Sequence, residues 1–189
     1  MTSRRPPAPP RPADVLVRRA DLGDVAWQVL VRDGHVVPLH DDVGLPAGVA
    51  ATPALRAAAL AGRVASREAV ARASAVWVHL GGPPPARVHA VAVAAASPRD
   101  VVVLGGVRVT TPRRTALDVL ALEPPDVARA VLARLARAGL DLGQVQTDLT
   151  AAATRRGVRH GLAVLHALRA EREAQPSATG SAAFAPVIR

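Results

Sequence analysis

Apolar positions along this chain change their period several times, and each change marks an element. In DVLVRRADLGDVAWQVLVRDG, Trp27, Leu30 and Val31 recur at helical spacing and Gly34 supplies a natural stop, which predicts a short helix, a turn and a second helix. Two short extended pieces follow, HVVPL and VGLPA, ending near Gly48. Pro38 restricts the first of these to a sheet edge, because proline has no N–H to donate to a ladder. The order is that of a winged helix.

Beyond Gly48 the pattern is mostly helical. PALRAAALAG opens with Pro53 and closes with Gly62, the usual asymmetry of helix ends. VASREAVARASAVWVHLGG predicts one longer helix, with Ser66 as N-cap, an apolar face of Ala69, Val70, Ala73, Val76, Trp77 and Leu80, and a stop at Gly81 and Gly82. Pro83 to Pro85 form a stiff connector into the alternating stretch RVHAVAVAA, a strand, and VVVL-GG-VRVT reads as a hairpin with a two-residue loop. A small sheet of about three strands is expected. Thr111 and Pro112 then start a helix with Ala116, Leu117, Leu120 and Ala121 inward. The next helix places Val127, Val131, Leu132 and Leu135 on one side, with Arg129, Arg134 and Arg137 mostly on the other. The region from Leu142 breaks at Gly157 and resumes from Val158 as a last amphipathic helix. The expected fold class is α+β, with a disordered arm at 1–13, a small winged-helix-like unit at 14–48, a helix-rich domain with a small sheet at 49–174, and a disordered tail at 175–189.

Charge changes this picture. The chain has 24 basic and 15 acidic residues, a formal charge of +9, which favours a nucleic acid, an anionic surface or an acidic protein as partner. Every basic residue is arginine, a bias that a GC-rich coding sequence explains first. The excess is uneven. Residues 14–48 hold three arginines against six aspartates, net −3, whereas residues 51–189 hold 18 arginines against nine acids, net +9. The absence of cysteine excludes disulfides, cysteine-ligated zinc and a cysteine nucleophile, and fits a cytoplasmic location. The start, MTSRRPPAPPRP, lacks the apolar core of a signal peptide, and no uncharged apolar run approaches the roughly 20 residues of a membrane helix. No membrane partner is expected.

Catalytic chemistry finds little support. The six histidines, at 35, 40, 79, 89, 160 and 166, form no short ligand pair with an acidic neighbour, so no metal is expected. Without lysine there is no phosphate-cradling GxxxxGK[ST] and no acidic-plus-lysine nuclease centre, and GxSxG is missing. The chain is read as a non-enzyme without cofactor. Two basic groups remain. Arg113 and Arg114 stand at a helix start, where each cation costs roughly 0.3–1 kcal/mol. Asp118, four residues after Arg114, offsets only about 0.2–0.5 kcal/mol as an exposed pair, which leaves internal pairing and an external anion both open. Arg155, Arg156 and Arg159 surround Gly157 and form either a solvated helix junction or a second anion site.

The helix end SAVWVHLGG, the connector and strand PPPARVHAVAV, the segment GVRVTTPRRTALDVL and the late RRGVRHGLAVLHAL together resemble the AbiEi antitoxins of type IV toxin–antitoxin systems, of the actinobacterial type, over about residues 14–172. The resemblance implies a winged helix that binds operator DNA and a larger C-terminal domain that counters a nucleotidyltransferase-like toxin, in a transcriptional regulator that is not an enzyme and lacks a nuclease extension. It implies that Asp24 to Asp33 form the recognition helix, with Gln28 and Arg32 facing the groove, Arg18 and Arg19 beside them, and His35 and His40 on the wing. Arg113, Arg114, Arg155, Arg156 and Arg159 are the candidates for the acidic partner. Relatives often carry arginine on the wing, whereas Asp41 and Asp42 follow His40 here, which lowers the expected affinity for phosphate. The alternative is a protein-interaction module whose winged helix no longer reads DNA.

Overall fold

A computed structural model describes residues 11–151 and 158–174. The arm expected at 1–13 falls mostly outside these residues, as do the break at Gly157 and the tail from Gln175. The fold is α+β. Its first part runs α1 (Pro12–Val15), β1 (Val17–Arg18), α2 (Arg19–Leu22), α3 (Asp24–Arg32), β2 (Val36–His40) and β3 (Val43–Pro46). The three strands pair antiparallel in the order β1-β3-β2, which is the connectivity of a winged helix. Pro38 lies on β2, at the sheet edge where its missing donor does no harm. Gly44 lets β3 approach α3, because a Cβ there would meet Val36 Cγ1 at 2.6 Å, the Val37 carbonyl at 2.9 Å and the Trp27 ring at 3.1 Å.

The second sheet departs from expectation. Residues Glu68–Val70, read as the first turn of a helix from Ser66, form a strand, β4, and the helix α5 begins only at Arg72 and runs to Leu80. Arg72 makes the turn with a positive φ of 53°. A buried run as short as Ala69-Val70-Ala71 fits a strand and a helix equally by period, and here pairing decides. β4 pairs antiparallel with β5 (Ala90–Ala92) and parallel with β7 (Val107–Thr110), whose hairpin partner is β6 (Val101–Leu104). The sheet therefore has four strands, in the order β5-β4-β7-β6. The hairpin loop is Gly105-Gly106, both at positive φ, and a side chain at Gly105 would collide with the Ala54 carbonyl of α4 (Pro53–Ala59) at 2.1 Å.

Four helices follow among the described residues: α6 (Pro112–Leu122), α7 (Pro125–Arg137), α8 (Leu142–Ala151) and α9 (Val158–Ala174). Leu120 and Leu132 are buried as the spacing predicts, but Ala121 and Val127 are exposed. The inward arc instead takes Val119 and Ala128, so each stripe is rotated by about one position from that expected.

Two cores hold the molecule together. One joins Leu16 and Leu45 of the winged-helix part to Leu55 and Leu60 around α4, Trp77 and Val78 of α5, and Val107 and Val109 of β7. The other packs Val76 of α5 against α6 to α9, with Leu120, Leu132, Leu135, Val145 and Leu165 among its members. The first core runs across the boundary at 48/49. A unit of some 35 residues has too little interior to stabilise itself, and this one completes its core with α4 and α5.

Candidate nucleic-acid and partner surfaces

Helix α3 of the winged-helix part exposes one whole face. Trp27 is buried against β3, and at 3.6 residues per turn the opposite face carries Val25, Gln28, Val29 and Arg32 within an arc of about 100°. All four are exposed, Val25 at 78% and Val29 at 38%. Gln28 and Arg32 thus lie together, as the resemblance implies, and His35 is exposed just beyond, at the entry to β2.

The other expected DNA contacts are compromised. Arg19 Nε–H donates to Asp24 Oδ1 at 2.8 Å, and a second N–H reaches Asp42 Oδ1 at 3.4 Å. Its charge is met from within. Arg18 is half-buried in β1, and Arg32 is paired with Asp33 at 2.9 Å, an exposed contact worth little. His40 is a correction. It is not on the surface of the wing but 5% exposed, with its Nδ1 3.3 Å from Asp41 and its ring against Trp77. A register shift between Pro38 and His40 turns that side chain inward. Asp41, which carries a positive φ of 44°, is paired in turn with Arg63 at 2.8 Å.

The arginine pair of α6 also finds its anions inside the chain. Thr111 caps the helix, its side chain accepting from Arg114 N–H at 3.3 Å, and the two guanidinium groups then diverge. Arg113 forms a two-pronged ion pair with Asp148 of α8, which Gln144 also contacts at 3.2 Å. Arg114 donates to Asp118 at 2.8 Å and to Asp100 at 3.2 Å, in a setting where all three are largely buried. Of the two readings left open for this pair, the geometry supports internal pairing, because each charge already has a carboxylate. Arg113 keeps half of its side chain in solvent.

Electrostatics separate Asp118 from Asp148. Burial pushes the Asp118 carboxyl above the ordinary range, against the lowering effect of Arg114, and its Oδ2 is buried without a partner among the described residues. Asp148 moves the other way, held down by the hydrogen bond from Arg113. Nearby, burial lowers the pKa of His79, whose Nε2–H donates to the Thr110 carbonyl at 2.7 Å. A cavity of 420 Å³ opens beside this group, with His79, Thr111, Arg113 and Asp141 as its polar members.

Arg155 and Arg156 lie outside the described residues, and Arg159 is exposed in the first turn of α9. Sequence reasoning missed Arg56. That side chain is only 8% exposed and binds backbone carbonyls alone: Val78 at 2.9 Å, His79 at 3.3 Å and Ala51. It caps the end of α5 by charge, although its own burial lowers its pKa. The one available signal was a lone charge inside the apolar run PALRAAALAG.

Among the described residues no group of three histidines or acids converges as a metal site, and no helix is long and apolar enough to cross a membrane. No protein-family model, no curated relative and no solved structure matches the chain.

Proposed function

We propose that this chain is a regulator of the AbiEi antitoxin type, whose winged-helix part contacts duplex DNA and whose α6–α9 domain engages an acidic partner protein, a nucleotidyltransferase-like toxin. The carrying observation is the β1-β3-β2 wing joined to a helix, α3, that presents Gln28 and Arg32 outward. A helix so held is accessible to a major groove. Phosphate attraction in this part is weak, because Arg19 is committed to two aspartates, so affinity is low and its salt dependence shallow.

A second reading is favoured by that same commitment: the winged helix serves protein contact and no longer reads DNA. Anisotropy titration of the full chain against duplexes of its own upstream region, at rising salt, separates the two. Binding that weakens with the Arg32→Ala exchange, and only slightly with salt, supports the regulator. An isotherm that stays flat at low salt favours the interaction module.

A further inference from the structure

The exposed face of α3 carries more than polar groups. Val25 and Val29 stand one turn apart, between and beside Gln28 and Arg32. Isolated surface valines need no explanation, but two of them interleaved with a primary amide and a guanidinium at i, i+3, i+4 and i+7 form one continuous strip.

That composition matches one edge of a base pair in particular. In the major groove thymine offers a C5-methyl group and adenine offers N7 and N6, which an amide side chain meets with one donor and one acceptor; apolar side chains cover the methyl. A helix about 10–12 Å across with its side chains fits the major groove, and the valines of α3 fall in its first two turns, where such helices touch base edges. A protein partner fits the strip less well, since its centre would bury Gln28 and Arg32 along with the valines.

Charge points the same way by elimination. Of the acids around this face, Asp24 and Asp42 are held by Arg19, Asp33 by Arg32 and Asp41 by Arg63. One arginine answers two of these aspartates, and Asp21 has no ion pair among the described residues, so the surface is slightly acidic, phosphate attraction contributes little and discrimination falls to base contacts.

We propose that α3 reads A·T pairs through thymine: Val25 and Val29 cover C5-methyl groups while Gln28 pairs with N6 and N7 of an adjacent adenine. This rests on the DNA-binding reading above. The test selects duplexes from a random library on the full chain at low salt, then remakes the enriched duplex with deoxyuridine in place of thymidine, which removes only the methyl groups. The wild type should lose about fourfold in affinity for each contacted methyl. The Val25→Ser/Val29→Ser double variant, its fold checked by a melting curve, should bind both duplexes alike. Equal binding of the two duplexes by the wild type overturns the thymine reading and leaves the DNA-binding one standing. Failure of any duplex to bind overturns both, and a wild-type dimer abolished by the double variant would assign the strip to protein contact.

Discussion

The ring of His40, at the end of β2, lies 5.6 Å from that of Trp77 in the middle of α5, tilted by 52°. The contact ties the wing to the first core. Trp77 is 3% exposed, so its exchange for alanine leaves a large void and should cost about 3–5 kcal/mol. Thermal melts of the variant check this, and His40 should become solvent-accessible to a histidine-modifying reagent in the same protein. An unchanged melting temperature would contradict the packing described.

Arg113 and Arg114 are adjacent but should respond differently to the same exchange. Arg113→Gln breaks a half-exposed pair and should change stability by less than about 1 kcal/mol. Arg114→Gln leaves Asp118 buried without its nearest counter-charge, a loss of about 3 kcal/mol. Chemical denaturation of the two single variants provides the measurement, and equal effects would count against the geometry.

Asp118 and Asp148 should have opposite pH signatures. Asp148, lowered by Arg113, contributes stability above the ordinary carboxylate pKa of about 4, and that contribution is lost as pH falls through its lower folded value. Asp118, raised by burial, contributes fully below about 4 and loses that contribution as pH rises through its higher folded value. The stability difference between wild type and Asp148→Asn should therefore grow with rising pH across the acid range. The difference for Asp118→Asn should shrink. Denaturant titrations at a series of acid pH values read both slopes.

Arg56 offers a test of a charge that stabilises without a carboxylate. Arg56→Met keeps the apolar stem but abandons the carbonyls of Ala51, Val78 and His79, at a cost of about 2–4 kcal/mol. Arg56→Lys should recover only part, because an ammonium group lacks the fork that spans them. The order wild type, lysine, methionine in melting temperature is the expected result.

How much of this could be read from the chain follows from the distances involved. The winged-helix connectivity was legible because Trp27, Gly34 and Pro38 are local signals. The fourth strand was not, since Glu68–Val70 becomes a strand only through pairing with residues 90–92 and with Val109. The carboxylate of Arg113 was also hidden, lying 35 residues away on another helix, whereas that of Arg114 was visible at four. Val25 and Val29 escaped notice for a different reason. Periodicity locates the buried face, and apolar residues opposite Trp27 add nothing to that pattern.

The way α5 is shared between cores bears on how such a chain changes over generations. Trp77 and Val78 belong to one interior and Val76 to the other, so neither half has a private wall. A winged-helix end could not be inherited as a detachable cassette here. Any recombinant acquiring a different one would need a matching α4–α5 surface, and drift along α5 would be constrained by one interior at Trp77 and Val78 and by the other at Val76.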